Sequence, residues 1–290
     1  MNRTSNKFEG QYETVATQID PTRRATHGSP VTWADRHGPY CFYLSHVADY
    51  SASFPCSPQP GYSVFNNVDD NIMNQEGPNN PMEWDEYGAA GASSVYTITQ
   101  VMPPASRFPV LFNNSDWVFH RGFDAVGAGT MWLVQDGYTP LFGPAADLEA
   151  EVRASQWAQN EGLRYQNQGH RRQMPRRSMC AFWTLNEPWP NVAYGSVVDW
   201  FGEKKMAFYA ATKQVYAPVD VQLTYPSLFW VAGSSVPEEI GAAVVAEASS
   251  IEKGATAELT LVTTSGKQLH TESWSVAPRS LTALSFSTMP

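Results

Sequence analysis

The length, composition and charge of the chain limit the classes of protein to which it can belong. Its 290 residues allow one large domain or two smaller ones, and 42% hydrophobic residues are enough for a sizeable core. A net charge of −9 disfavours nucleic acids and anionic membranes as partners. Aromatic residues make up 13% of the chain and include ten tryptophans, whose flat apolar rings fill cores and also suit the C–H faces of sugars.

The cysteines and the N-terminal segment bear on metals and on the cellular compartment. Cys41, Cys56 and Cys180 form no CxxC pair, and no His/Cys cluster has zinc-ligand spacing, so we expect no metal. Cys41 and Cys56 could form a disulfide in an exported protein, but an odd count fits a reducing compartment equally well. We find no apolar stretch of the length that a signal peptide or a membrane span requires. The sequence therefore favours a cytoplasmic location.

The first part of the chain predicts one helix and two strands separated by long loops. Phe8–Ile19 reads as a helix that ends before Pro21, because a residue ahead of proline is pushed out of helical geometry. Arg24–Gly28 and Met82–Tyr87 are candidate strands. Between them, Ser29–Asn80 is rich in Pro, Gly, Asn and aromatic residues, a composition typical of ordered loops over a functional face.

The middle of the chain predicts alternating helices and strands. Apolar residues at helical spacing predict a helix over Asp147–Tyr165. The basic run His170–Arg177 is interpreted as a solvated loop ahead of a strand. Met179–Leu185 is a continuous apolar run, which predicts a strand buried on both faces of a parallel sheet. Lys204–Val215 predicts a helix that Pro218 stops.

The last part of the chain is predicted to contain only β-strands. A hairpin turn at Ser265-Gly266 and short alternating segments indicate a small antiparallel sandwich. We therefore divide the chain into an α/β domain, residues 1–217, and a β-sandwich domain, residues 218–290. The predicted strands are Val219–Thr224, Ala242–Ala248, Ala257–Thr263, Gln268–Trp274 and Ser280–Ser287.

Two glutamates are the first candidates for chemistry, because each follows a predicted buried strand. Glu86 ends the strand in the segment NPMEWDEYGAAG, and Glu187 follows the apolar run in FWTLNEPWPN. In an α/β barrel, the carboxyl ends of the strands are where active sites are built.

The motifs around these glutamates resemble a known family. Trp84–Gly91 (WDEYGAAG) resembles a Ser-Glu-Phe/Tyr-Gly motif on a seventh barrel strand, and Met179–Val219 resembles an eighth strand and final helix with Trp-Gln-Leu/Phe-Asn-Glu/Asp-x-Trp-Pro and Asp-Tyr-Phe/Tyr-Gly-x-x-Lys-Pro signatures. Asp20–Pro30 resembles the sixth-strand region, and Trp33–Gly38 the Gly-Asp-x-His loop after it. In order and rough spacing, these motifs are similar to those of glycoside hydrolase family 2, in particular its β-mannosidase-like members.

The resemblance implies a fold and an activity. The fold is the C-terminal part of a (β/α)8 TIM barrel, strands six to eight, followed by a small immunoglobulin-like β-sandwich. The activity is retaining hydrolysis of terminal β-linked sugars, without a cofactor, in which Glu86 attacks the anomeric carbon. The residues implied in substrate binding are Trp183, Asn186, Glu187, Trp189, Asp35 and His37. The chain departs from the family pattern with Asp85 for the usual Ser, Thr184 for Gln and Met206 for Pro.

Motif order decides the role of Glu187. Asn186-Glu187-Pro188 has the letters of the fourth-strand acid/base motif of related glycosidases, but that donor precedes the nucleophile, whereas Glu187 follows Glu86. We therefore interpret Glu187 as an eighth-strand residue. The acid/base glutamate is then expected upstream of Met1, which predicts that the chain is a fragment of a longer enzyme or works with a partner supplying the missing half barrel.

Two alternatives remain open at this point. One is a non-catalytic carbohydrate-binding or structural fragment, since the chain lacks the donor strand. The other keeps the family and changes the sugar to a β-galactoside, β-glucuronide or β-glucosaminide.

Overall fold

The computed structural model describes residues 7–23, 25, 35–37, 83–111, 113–120, 135, 138–172, 179–224, 241–246, 255–276 and 284–285. These residues form a mixed arrangement of helices and small sheets, and within them no barrel closes. The helices are α1 (Lys7–Ile19), α2 (Val95–Val101), α3 (Ser115–His120), α4 (Thr139–Phe142) and α5 (Leu148–Arg172), with a 3-10 turn at Pro104–Ser106 and a π-helix at Phe208–Gln214.

A three-stranded parallel sheet is the centre of the α/β part. Its strands lie in the order β1 (Asp35–His37), β2 (Glu83–Tyr87) and β4 (Met179–Phe182). All three carboxyl ends therefore meet at one edge, the geometry that builds a site from consecutive strands. A short antiparallel pair, β3 (Gly91–Ala92) with β5 (Ala193–Tyr194), joins the segments that follow β2 and β4.

The long helix α5 holds the segment that leaves β2. The side-chain amide of Gln159 donates to the carbonyls of Ala89 and Ser196 at 3.0 and 2.9 Å, and that of Gln156 donates to Ala92 at 3.1 Å. Carbonyls in an irregular segment lack ladder partners and must find other donors when buried. This explains why a helix with so many polar residues is buried. A Cβ at Gly91 would lie 2.9 Å from the Cβ of Gln159, an atom that side-chain rotation does not move, so this approach requires glycine.

Two apolar clusters pack against α5. The cluster at its N-terminal half contains Ile98, Met102, Trp117, Val152 and Val192, all buried. The cluster at its C-terminal half lies beneath β2 and the π-helix and consists of Tyr87, Ala89, Leu163, Val197, Ala207 and Ala211. One helix thus anchors both the parallel sheet and the loops beyond its carboxyl edge.

The C-terminal strands are antiparallel. β6 (Val219–Thr224) pairs with β7 (Gly241–Ala246), which also pairs with β10 (Leu284–Ser285). β8 (Thr256–Val262) and β9 (Gln268–Ser275) form a hairpin. Its turn places Gly266 at φ +85°, a conformation that side chains other than glycine rarely adopt.

Most predicted elements are confirmed. The helix predicted over Phe8–Ile19, the strand over Met82–Tyr87 and the hairpin at Ser265-Gly266 are present within a residue or two. The helix predicted over Asp147–Tyr165 is also present, and it continues to Arg172. The strand predicted over Arg24–Gly28 lies outside the described residues except for Ala25, which is not in a strand.

Two predictions about burial are wrong. β4 is not buried on both faces, since Met179 and Ala181 are exposed; among the described residues it pairs only with β2 and is an edge strand. The basic run is also not a solvated loop at its start, because Arg171 and Arg172 are buried in the last turn of α5. Arg171 donates to the carbonyls of Val215 and Ala217, and Arg172 donates to the side chain of Gln222 at 2.8 Å.

None of the helices in the described parts of the chain has the length and apolar character needed to span a membrane.

Candidate active site

Glu86 lies where the parallel sheet predicts a site. It is the last residue but one of β2, the central strand, and its side chain is partly exposed. The next residue, Tyr87, is buried beneath α5, where its hydroxyl donates to the side chain of Asn167. Because successive strand residues point to opposite faces, Glu86 lies on the side of the sheet away from α5.

The strand β1 brings the two candidates from the Asp35–His37 segment to the same sheet. His37 stands opposite Glu86 in the parallel register, and Asp35 stands opposite Glu83. The backbone of His37 is therefore adjacent to that of Glu86, at the carboxyl edge of the sheet.

Trp183 and Tyr194 meet on the other flank of Glu86. The backbone N–H of Trp183 donates to the carbonyl of Tyr87 at 2.6 Å, and its indole Nε1 donates to the hydroxyl of Tyr194 at 3.0 Å. Trp183 remains 40% exposed. A Cβ at Gly195 would lie 2.7 Å from the Trp183 carbonyl, so only glycine allows this approach.

Tyr194 experiences the charge of the candidate nucleophile. Burial raises the pKa of the Tyr194 hydroxyl, the hydrogen bond from Trp183 opposes this, and the negative charges of Glu187 and Glu86 raise the pKa further. The phenol therefore stays protonated beside Glu86 and keeps a hydrogen to donate.

Asn186 and Trp189 lie on the exposed loop after β4. Asn186 is exposed, and its backbone forms an isolated bridge with Val198. Trp189 is also exposed and contacts the rings of Phe119 and His120. Both residues are accessible to a ligand.

Glu187 is placed differently from the expectation that it contacts a sugar. Its side chain is 0% exposed and forms an ion pair with Lys205, whose Nζ lies 2.9 Å from Glu187 Oε1. The hydroxyl of Ser196 donates to the same carboxylate at 2.6 Å, and the hydroxyl oxygen of Ser93 lies 3.2 Å from it. Neither carboxylate oxygen faces solvent, so in this structure Glu187 binds the interior of the protein and not the surface of the site.

Lys205 ties the two loops of the site together. Besides Glu187, its ammonium donates to the carbonyl of Gly91 at 3.1 Å and to Ser196 Oγ at 3.1 Å. Burial lowers the pKa of Lys205, because an apolar environment disfavours the ammonium, while Glu187 and Asp199 counteract this. Gly91 follows β2, the strand that carries Glu86, and Ser196 follows β5, so one buried cation fixes both segments.

A second buried carboxylate, Asp199, continues this network. Its Oδ2 accepts hydrogen bonds from Ser94 Oγ at 2.8 Å and from Thr97 Oγ1 at 2.7 Å, at the start of α2. Its Oδ1 accepts the backbone N–H of Glu203 at 3.0 Å. Asp199 thus fastens the loop before Lys205 to α2, the helix that follows β2 and β3.

The tyrosines behind the sheet make stability depend on alkaline pH. Burial raises the pKa of Tyr87 well above its usual value, and Cys180 and Tyr216 add to this effect. Burial and the neighbouring Cys180 also raise the pKa of Tyr216, whose hydroxyl lies 3.5 Å from Cys180 Sγ. A folded-state pKa above the unfolded value near 10 means that this stability is complete below about pH 10 and is lost as pH rises further.

We therefore expect the free energy of unfolding to fall more steeply between about pH 10 and 12 in the native protein than in Tyr87→Phe, since Tyr87 is buried. Urea denaturation at each pH measures it. Lys205 titrates in both proteins, so the difference between them isolates the tyrosine. Tyr209→Phe, at an exposed position, is the matched control and should keep the native slope. Equal slopes for all three proteins would contradict the assignment.

Sequence reasoning missed Tyr194, Ser93 and the structural roles of Asp199 and Lys205. The last two belong to the Asp-x-Phe-Gly-x-x-Lys motif of residues 199–205. The motif marked both residues in the sequence but did not indicate that they form a buried network. Ser93 and Tyr194 have no signal in the sequence, because only the pairing of β3 with β5 brings them to the site.

Among the described residues, no group of His, Cys, Asp and Glu is arranged to hold a metal ion.

Comparison with known proteins shows a likeness of fold. No protein-family model matches the sequence, and no curated protein matches it. A β-D-mannosidase from Dictyoglomus thermophilum superposes with a TM-score of 0.58 at 16% identity, over 94% of this chain and 29% of the enzyme. An exo-chitosanase variant from Amycolatopsis orientalis, in complex with PNP-β-D-glucosamine, superposes with a TM-score of 0.53 at 18% identity, over 80% of this chain and 26% of the enzyme. This chain therefore shares its fold with parts of two glycosidases and spans less than a third of either.

Proposed function

We propose that this chain is the C-terminal portion of a retaining β-glycosidase of glycoside hydrolase family 2, with Glu86 as its nucleophile. The observation that carries the proposal is the position of Glu86, at the carboxyl end of the central strand of a parallel sheet, in a chain with the fold of part of a mannosidase. Residues 1–217 are the last part of a TIM barrel, and residues 218–290 are a β-sandwich domain.

In the proposed reaction, a Glu86 carboxylate oxygen attacks the anomeric carbon as the bond to the leaving oxygen breaks. This gives a glycosyl-enzyme, which water then hydrolyses with net retention of configuration. A second carboxylic acid first protonates the leaving oxygen and then takes a proton from the attacking water. The chemistry requires no metal or other cofactor.

The second carboxyl group is supplied from outside this chain in our proposal. Retaining enzymes place the two carboxyl groups about 5–5.5 Å apart. The buried carboxylates near Glu86 already serve other partners, since Glu187 pairs with Lys205 and Asp199 binds the start of α2. An upstream part of the enzyme, or a partner chain with the first barrel strands, would provide the acid.

The substrate is a terminal β-linked sugar, and we propose a β-mannoside. The exposed side chains of Trp183, Asn186 and Trp189 are suited to contact it, because an indole packs against sugar C–H groups and an amide binds hydroxyls. Asp35 and His37 complete the proposed set from β1. Glu187 acts from behind this surface through its ion pair with Lys205.

Covalent labelling tests the nucleophile. In the intact enzyme that contains this chain, a 2-deoxy-2-fluoro-β-mannosyl fluoride should inactivate the enzyme and add one fluorosugar. Fluorine at C2 slows both the formation and the hydrolysis of the glycosyl-enzyme, whereas fluoride at C1 is a good leaving group and speeds formation alone, so the glycosyl-enzyme accumulates. Peptide mass spectrometry should locate the sugar on Glu86. A label on another carboxylate, Glu187 included, would refute the assignment.

A panel of nitrophenyl β-glycosides tests the sugar. Cleavage of the mannoside supports the proposal, whereas cleavage of the galactoside, glucuronide or glucosaminide alone would change the substrate and keep the family. If the intact enzyme cleaved none of these glycosides and was not labelled by the fluorosugar, the non-catalytic alternative would be favoured.

A further inference from the structure

Three aromatic rings form a cluster at the end of α3, which we call the aromatic shelf: Phe119, His120 and Trp189. The rings of His120 and Trp189 are nearly parallel, at 26° and 6.4 Å between centroids. Phe119 stands edge-on to both, at 4.9 Å from His120 and 5.7 Å from Trp189. The loop after β4 and the helix α3, 70 residues apart in sequence at His120 and Pro190, thus combine in one surface.

The aromatic shelf is held by backbone bonds beneath it. The N–H of Val192 donates to the carbonyl of His120 at 2.7 Å. One turn before His120, Trp117 is fully buried and its indole donates to the carbonyl of Ser106 at 2.7 Å. The rings are therefore positioned before any ligand arrives, which lowers the entropic cost of binding.

The aromatic shelf is open to solvent. Phe119 is 65% exposed and Trp189 is 46% exposed. Leaving large apolar rings in water forgoes a stabilisation of order 25 cal/mol per Å². A contiguous cluster of such rings, held rigidly, indicates a binding surface.

A polar group stands at the edge of this apolar surface. His120 Nδ1 lies 3.0 Å from the carbonyl oxygen of Pro190, which can only accept, so Nδ1 carries the hydrogen. In the neutral ring, Nε2 is then an acceptor. Flat rings with an acceptor at the rim match a pyranose, whose C–H face is apolar and whose hydroxyls lie around its edge.

The loop that carries Trp189 follows β4 and is hydrogen-bonded to the segment that follows Glu86. Ser93, seven positions after Glu86 in sequence, donates through its backbone to the carbonyl of Val192 at 2.9 Å and through its hydroxyl to the carbonyl of Asn191 at 2.8 Å. The loop that carries Trp189 is therefore bonded directly to the segment leaving the nucleophile strand.

We propose that the aromatic shelf binds a second pyranose of a β-linked oligosaccharide, beside the sugar whose glycosidic bond Glu86 attacks. The inference rests on the proposed glycosidase function and narrows its substrate, from any terminal β-glycoside to a chain of at least two β-linked sugars. Phe119 and His120 become specificity-determining residues that the family motifs do not include.

Sugar binding by the 290-residue chain itself tests this, because all three rings belong to it and no bond cleavage is needed. Isothermal titration calorimetry is carried out with β-1,4-mannobiose, with the β-1,4-linked glucosamine disaccharide, with methyl β-mannoside and with maltose. One of the two β-linked disaccharides should bind about tenfold more tightly than methyl β-mannoside, and maltose should bind no better than the monosaccharide.

Substitutions locate the binding. Trp189→Ala and Phe119→Ala should each weaken disaccharide binding about tenfold while leaving the thermal midpoint close to native. Trp200→Ala, at an equally exposed indole, is the matched control and should bind as the native chain does. Equal affinities in all variants, or no disaccharide binding at all, would overturn the inference. Failure of Glu86 labelling in the intact enzyme would instead refute the nucleophile and leave these affinities unchanged.

Discussion

Replacing Lys205 with methionine is expected to lower the free energy of unfolding by about 3–5 kcal/mol, because the substitution leaves the Glu187 carboxylate buried without its counter-ion. Both side chains are 0% exposed, so water cannot replace the lost ammonium without opening the loops. The same ammonium holds the carbonyl of Gly91. Chemical denaturation followed by tryptophan fluorescence and circular dichroism measures the change.

Lys204→Met is the control for the loss of a lysine. Lys204 is exposed and its ammonium lies over the ring of Phe208, at 5.1 Å from the centroid, so its removal should cost about 1 kcal/mol or less. In a double-mutant cycle with Glu187→Gln, the double variant should be more stable than the sum of the single losses predicts. If Lys205→Met were no more destabilising than Lys204→Met, the ion pair would not be what holds the loops.

Replacing Glu86 with glutamine in the intact enzyme should lower kcat by about three orders of magnitude or more while the fold survives. An amide of the same shape cannot form the glycosyl-enzyme, since it lacks the negative charge that attacks and later departs. Steady-state kinetics on the nitrophenyl glycoside that the enzyme prefers measures the loss. Glu149→Gln, an identical change at an exposed carboxylate of α5, should retain native turnover.

Azide distinguishes a nucleophile from a residue that only positions the substrate. In Glu86→Ala, azide can enter the vacated space and attack the same face of the sugar, so activity should return and the product should be the α-glycosyl azide. A β-glycosyl azide would identify Glu86 as the acid/base residue, and no rescue together with near-native turnover would remove it from the reaction.

The sequence predicted those features of the fold that depend on local patterns. Alternating residues identified Val219–Thr224 as a strand with the bounds that β6 has, and the strand–Glu–Tyr–Gly pattern placed Glu86 at a strand end. These patterns succeed because side-chain period and turn chemistry act over a few residues.

Features that depend on distant partners were not predicted. The Asn-Glu-Pro segment predicts that Glu187 is a site residue. In the structure its carboxylate is instead buried against Lys205 and two serines. The sequence predicts that Arg171 is solvated, yet its guanidinium donates hydrogen bonds to the carbonyls of Val215 and Ala217. Whether a charged residue is buried depends on whether the fold supplies partners for it, and the sequence neighbourhood does not contain that information.

The contact between Lys205 and Gly91 spans 114 positions of the chain and governs when the site can form. Closing so long a loop carries an entropic cost, and folds that depend on contacts between residues far apart in sequence form more slowly than folds built from local contacts. During synthesis, the segment behind Glu86 leaves the ribosome well before its cation exists. The segment that follows Glu86 therefore gains this contact only after residue 205 has been made, and a chain ending before residue 205 would keep Glu86 but lose the ammonium that holds the carbonyl of Gly91.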